Sequence, residues 1–313
     1  MSRLDLRVED VLTALTALVL LFVAGYKSFG RMKLDEGNYW DFAFILFPLA
    51  LLVLREALAY AFRPIGSAQS VQVGGKAGRL VRDWLPFLLF LLLYEAFRVN
   101  TWNYVSPVDC DALLLRWDRR LFGETPSVLL DRFVSPSLTG VLTIAYALHL
   151  VLPPILALIW YRRELRTFRE LLLVILLTAV FGSLGYLAVP AIGPGFAFPN
   201  LYKNSLSGNV YENVTGLIDA ARALRDVFPS LHVAISSIVL YYSWRRGRVF
   251  VAVMLPLVIA NWVSTVYLRY HYLIDVFAGW LTAVLSIASA RVLLSVEDRI
   301  RKRPVRVETV PAA

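Results

Sequence analysis

Residues 249–267 read Val-Phe-Val-Ala-Val-Met-Leu-Pro-Leu-Val-Ile-Ala-Asn-Trp-Val-Ser-Thr-Val-Tyr, an apolar run without a single charge. About 20 such residues are what an α-helix needs to cross the hydrocarbon of a bilayer. The run lacks period-two alternation, and only helices or closed barrels satisfy their backbone in hydrocarbon, so a spanning helix is predicted. Similar blocks lie at 11–26, 42–62, 84–97, 138–161, 171–189, 227–244 and 272–294. Several fall short of about 20 residues, which puts their ends in the interface. Composition agrees: 58% of the 313 residues are hydrophobic and 18% charged, with mean hydropathy +0.62.

The predicted fold is therefore all-α, a polytopic membrane bundle of about eight transmembrane helices. Two N-terminal spans (1–83) precede a membrane core (84–295) of about six helices. A basic cytoplasmic tail (296–313) follows, suited to anionic lipid. Tyr26-Lys27-Ser28-Phe29 follows the first block and offers no small-residue cleavage site, so that block reads as a retained span. No repeat of solenoid length is present.

The net charge of +9 reads as topology rather than as a nucleic-acid surface, because Lys and Arg collect in cytoplasmic loops. With the N-terminus inside, the inner segments hold Arg3 and Arg7; Arg63, Lys76, Arg79 and Arg82; Arg162, Arg163, Arg166 and Arg169; and Arg245, Arg246 and Arg248. The outer stretch 190–227 has only Lys203, Arg222 and Arg225. Both termini are thus expected in the cytoplasm. The single Cys110 excludes an intrachain disulfide framework and a multi-cysteine metal site.

The chain has three histidines. His149 falls inside the 138–161 block, whereas His232 and His271 fall at block ends. The 227–244 block runs in, a basic turn follows, and 249–267 returns, so His232 and His271 share the outer membrane face. Asp275 follows His271 by four residues, which on a helix places both side chains on one face. A carboxylate there accepts the imidazole Nδ1–H and leaves Nε2 as a nucleophile. His232, opposite, is then placed to protonate a leaving oxygen. Arg269 and the Ser230 hydroxyl suit phosphate oxygens. The competing readings are ordinary interface residues or a metal site, and the latter lacks the usual supporting carboxylates. No metal or cofactor is expected. His149 reads as a hydrogen-bonded bundle residue rather than a third catalytic group.

Two segments do not span. Residues 109–136 are charged yet carry apolar clusters, the pattern of an interfacial or re-entrant amphipathic helix pair. Residues 190–226 form a long outer loop, and such loops are seldom mere connectors. Arg55, Glu56 and Glu95, inside apolar blocks, are expected to pair within the bundle or snorkel. Trp40, Trp84, Trp102, Trp160, Trp244, Tyr161 and Tyr242 flank spans as interface anchors. Asn213-Val214-Thr215 matches a glycosylation acceptor by pattern alone.

Pro229-Ser230-Leu231-His232, followed by Tyr267-Leu268-Arg269-Tyr270-His271-Tyr272-Leu273-Ile274-Asp275-Val276-Phe277-Ala278-Gly279, resembles the type 2 phosphatidic acid phosphatase superfamily. The similarity is strongest to the branch of inositol phosphorylceramide synthases and their bacterial relatives. Leu115-Arg116-Trp117-Asp118-Arg119-Arg120-Leu121-Phe122-Gly123 and Val189-Pro190-Ala191-Ile192-Gly193-Pro194 look like that branch too, and the resemblance runs over roughly 84–291. It implies that His271 attacks phosphorus to form a phosphohistidine, that Asp275 orients it, and that His232 protonates the leaving group, without metal. Water or an alcohol then attacks the intermediate.

The chain departs from the family pattern in three places. The upstream Lys…Arg-Pro motif is missing, with Lys203 the only lysine of the outer loop. Thr265, after Ser264, stands where the family has arginine. Gly195 stands where relatives often carry arginine after Gly-Pro. Arg269, one helical turn beyond Thr265, is the expected substitute. The expected function is phosphoryl transfer on a lipid-linked phosphate ester at the extracytoplasmic face. Hydrolysis is slightly favoured because water is the default acceptor; head-group transfer to an alcohol, a polyol such as inositol included, is the alternative. A transporter or scaffold is the reading of another class, but Pro48, Pro86, Pro153, Pro154 and Pro256 do not fall into two matching halves.

Overall fold

The computed structural model describes residues 7–18, 75–100, 109–221 and 225–302. The block predicted at 42–62, with Arg55 and Glu56, lies outside the described residues, as do Trp40, Trp102, the side chain of Glu95 and the tail beyond 302.

The described elements are helices: α1 over 8–18, α2 Gly75–Asn100, α3 Asp111–Phe122, α4 Pro126–Leu130, α5 Pro136–Arg163, α6 Leu165–Ala188, α7 Asn209–Ala221, α8 Leu231–Arg246, α9 Arg248–Tyr267 and α10 Leu273–Lys302. Four stretches, Pro136–Arg163, Leu165–Ala188, Arg248–Tyr267 and Leu273–Ile300, are long and apolar enough to cross a membrane. Their outward residues include Val141, Leu150, Val249, Leu281 and Val284, all well exposed. Such an apolar outer surface is unsuited to water and suited to lipid. The protein is an integral membrane helix bundle.

The shorter α8 packs against α5, α6, α9 and α10. Its start and stop are written locally. Ser230 is extended (φ −71°, ψ 107°), and its Oγ accepts the Val233 N–H at 3.4 Å as an N-cap. Arg245 and Arg246 occupy the last turn, where the dipole favours cations, and Gly247 at φ +134° ends it. Between these ends Leu231, Ala234, Ile238, Val239 and Tyr242 are buried in the main core.

Gly279 decides how closely α10 passes the N-terminus of α8. A Cβ there would lie 2.6 Å from the Ser230 carbonyl oxygen and 3.0 Å from the Val233 Cβ, so only glycine permits the contact. The Ser230 N–H accordingly donates to the Asp275 carbonyl at 3.1 Å. This brings the start of α8, with His232, against the first turn of α10.

The opposite end of the bundle is tied by charge. Arg169 on α6 donates to both carboxylate oxygens of Glu9 on α1, at 2.8 and 2.9 Å, and to Glu297 on α10 at 2.9 Å. Arg245 reaches Glu170 at 2.9 Å, and Arg7 reaches Asp83 at 2.8 Å. Glu9 and Glu297 are themselves buried. Removing one partner of a buried pair strands the other charge, which costs about 3–5 kcal/mol. Arg169→Met is expected to lose stability of that order in detergent-phase unfolding, and an unchanged unfolding midpoint would contradict it.

Candidate active site

The segment expected to lie at the interface supplies the scaffold of the site. On α3, Asp111, Leu114, Leu115 and Asp118 are the buried residues, spaced to share one helix face. The two leucines join a small core with Ala191, Val227 and Tyr272. The two carboxylates hold backbone. Asp111 accepts from the Ile192 and Gly193 N–H groups, each at 2.9 Å, and from the Tyr272 hydroxyl at 2.9 Å. Burial, and next the neighbouring Asp111 carboxylate, raise the Tyr272 hydroxyl far above the usual phenol range, so it stays a donor.

Asp118 accepts from the Leu273 and Ile274 N–H groups at 3.1 and 3.0 Å, capping α10 from outside its own chain segment. Burial raises its carboxyl above the usual range, against the two backbone bonds that lower it. A folded-state value above the unfolded one makes its contribution to stability complete below the unfolded value. That contribution is lost as pH rises through the folded value. Asp118→Ala leaves two backbone donors without their acceptor, at a cost of about 1–3 kcal/mol each if they stay dry. The expected result is a less stable protein that lacks this loss of stability above about pH 4. Unfolding followed across pH in detergent checks both parts.

Asp131, just after α4, does similar work on the outer loop. It accepts from the Lys203 and Asn204 N–H groups at 2.9 and 3.2 Å and from Arg269 at 2.7 Å. Arg269 also donates to the Asn204 carbonyl at 2.5 Å and lies 4.1 Å above the Tyr202 ring.

His271 lies in the connection between α9, which ends at Tyr267, and α10, which starts at Leu273. The expected shared helix face with Asp275 is thus corrected: the histidine is off the helix, held by its N–H to the Thr265 carbonyl at 3.0 Å. The two still meet, because Asp275 in the first turn of α10 reaches back. Its Oδ2 accepts the Tyr272 N–H at 2.8 Å and lies 3.4 Å from the His271 Nδ1. His271 is 3% exposed and Asp275 fully buried, so neither is an ordinary interface residue.

The His232 ring approaches the His271 ring edge-to-face, with centroids 5.6 Å apart. The structure therefore brings His271, Asp275 and His232 together at one end of the α8–α10 unit. It also brings in two residues not expected there. Tyr146 stacks on His232 at 4.2 Å, and the His149 ring is 3.8 Å from it.

The remaining expected residues are each held by contacts of their own. Arg269 does not project from a helix beside Thr265; it follows α9 in a left-handed conformation (φ 65°), with its guanidinium on Asp131 and Asn204. Gly195 explains its own departure from the family. A Cβ there would sit 2.9 Å from the Arg269 Cβ and 3.0 Å from its carbonyl oxygen, and the Gly195 N–H donates to that oxygen at 2.9 Å. An arginine at 195 has no room. Ser230 is fully buried as the α8 cap. Lys203 is exposed, anchored through its backbone.

The roles of Asp111, Asp118, Asp131 and Tyr272 were not read from sequence. A signal existed for two of them, since Asp111 and Asp118 lie seven residues apart on the apolar stripe of an amphipathic helix.

Residues 112–289, more than half of the chain, match the model of the PAP2 superfamily. Among curated proteins, phosphoinositol dihydroceramide synthase of Bacteroides thetaiotaomicron is 28% identical over 227 residues, covering 64% of this chain and 73% of the relative. No solved structure matches. With a helical membrane bundle around two histidine motifs and the match across 112–289, the chain belongs to the PAP2 superfamily and is a membrane phosphatase or phosphotransferase.

Proposed function

We propose that this enzyme transfers a phosphate-bearing head group from a lipid to an alcohol through a phosphohistidine at His271. The observation that carries the reading is the asymmetry of the two histidines. His271 has its Nδ1 against a buried carboxylate, which keeps Nε2 as a lone pair, while His232 meets it edge-on from the other side. His271 Nε2 bonds to phosphorus as the bond to the leaving alkoxide breaks, and His232 gives that oxygen its proton. The acceptor alcohol then returns a proton to His232 as it displaces His271. Asp275 orients His271. Arg269, its guanidinium held by Asp131, and Lys203, whose backbone N–H bonds to the same carboxylate while its side chain is exposed, are the cations of the loop that would receive the phosphate, and Ser230 shapes the start of α8.

Transfer is favoured over hydrolysis by the name of the curated relative, a synthase of a phosphoinositol dihydroceramide, and by the burial of His271, which limits access of bulk water to an intermediate. A ceramide-like lipid alcohol is the corresponding acceptor, with an inositol-bearing lipid as donor. The eight-span topology, cytoplasmic termini, extracytoplasmic site and the division at 83 and 295 belong to the same proposal. Detergent-purified protein supplied with inositol-labelled phosphatidylinositol, with and without dihydroceramide, tests it. Label moving into a new lipid only when the acceptor is present supports transfer. Water-soluble label released at the same rate in both cases establishes hydrolysis instead.

A further inference from the structure

Building on the proposed chemistry, we infer that His149 is a positioning residue for the proton donor His232, contributed by α5 from outside the two histidine motifs. Four observations converge. The His149 ring centroid is 3.8 Å from that of His232, closer than the ring of Tyr146 at 4.2 Å or His271 at 5.6 Å. Its own orientation is set, because Nδ1 lies 2.8 Å from the Tyr146 carbonyl oxygen. A carbonyl only accepts, so the proton is on Nδ1 and the neutral ring carries its lone pair on Nε2. Tyr146 and His149 are three residues apart and present one face of α5 to the site. Tyr146 is in turn stacked on Tyr270 at 4.9 Å, in the connection that bears His271.

His232 thus meets both the face of Tyr146 and the ring of His149, which are themselves 5.8 Å apart, as well as the ring of His271. The proton-donor role needs His232 charged as the phosphorus–oxygen bond breaks. The face of Tyr146 favours that cation, whereas a second imidazolium at the distance of His149 would oppose it. The titratable groups whose rings meet His232 are His149 and Tyr146 from α5 and His271 from the α9–α10 connection, with Tyr270 stacked on Tyr146. A neutral His149, its Nδ1–H held by the Tyr146 carbonyl, puts no second positive charge beside His232 and sets that ring toward the leaving oxygen. The proton passes from His232 to the alkoxide, and His149 neither gains nor loses one.

The test separates positioning from mere packing through the leaving group. Diacylglycerol leaves as an alkoxide that needs a proton; p-nitrophenolate leaves without one. Single-turnover release of diacylglycerol from phosphatidylinositol and of p-nitrophenolate from a p-nitrophenyl phosphoinositol ester, each preceding the acceptor step, is measured for wild type, His149→Ala, His149→Gln and His232→Ala. General-acid assistance contributes about 10²–10⁴-fold. His149→Ala is expected to lower the rate of diacylglycerol release by about 10²-fold and that of p-nitrophenolate release by less than about threefold, with the substrate concentration for half-maximal rate nearly unchanged. His149→Gln keeps bulk and a donor for the Tyr146 carbonyl, and is expected to recover part of the loss. It serves the same comparison if the alanine variant does not fold. His232→Ala should show the same selectivity more strongly. If it does, and the His149 variants lose both substrates equally or neither, the inference is overturned. If His232→Ala itself shows no dependence on the leaving group, the proton-donor assignment fails instead, and the His149 role with it.

Discussion

His271→Ala is expected to lower turnover by at least about 10⁴-fold, the scale on which loss of a covalent nucleophile is felt. His271 is 3% exposed and sits at a connection whose backbone is held independently of its side chain. Its own N–H bonds to Thr265, and the next residues are bonded through Tyr272 to Asp111 and through Leu273 and Ile274 to Asp118. The variant should therefore fold, and its unfolding midpoint should stay close to wild type while labelled phosphate no longer transfers to protein. Residual turnover within about tenfold of wild type would remove His271 from the nucleophile's role.

Asp275→Asn is expected to cost about 10³–10⁴ in kcat with KM within a few-fold, as for other histidines whose carboxylate partner becomes an amide. The geometry states why. Oδ2 of Asp275 faces two groups at once, the Tyr272 N–H at 2.8 Å and the His271 Nδ1 at 3.4 Å. If the amide oxygen takes that place, the amide N–H₂ is pushed into the buried position of Oδ1, which has no hydrogen-bond partner among the described residues. If the amide turns over, its N–H₂ confronts a backbone donor and an imidazole nitrogen that must then accept. The imidazole answers by moving its proton to Nε2, and the lone pair that attacks phosphorus is gone. Single-turnover measurement with a chemically quenched step distinguishes this from slow release, because formation of labelled protein should itself slow.

The meeting of His232, His271 and Asp275 was legible in sequence because histidines are rare in this chain and these two fall at block boundaries. The helices were legible for the same reason that membrane helices generally are: the bilayer sets their length and composition. The rest was hidden by physics of another kind. Asp111, Asp118 and Asp131 act on backbone N–H groups some 70 to 160 residues away, and a backbone donor has no signature in the amino-acid sequence. His149 is the hydrogen-bonded bundle residue expected, with its Nδ1 on the Tyr146 carbonyl, but its contact with His232 was hidden because it lies across a helix packing, α5 on α8, whose rotation depends on side chains along both helices. Arg269 was read as helical because its spacing from Thr265 is one turn. The chain leaves the helix two residues earlier, and Gly195, itself unusual for the family, occupies the space that results.

The brackets that Asp111 and Asp118 make have a consequence for how the enzyme can be divided. All three groups assigned to the chemistry lie within residues 232–275, so a C-terminal piece would carry every atom that changes bonding. It would leave behind the helix at 111–122 that fastens Tyr272, Leu273 and Ile274, and with it the reason His271 points where it does. The reactive hairpin is not a transplantable cassette: its working shape is stored in an earlier part of the chain.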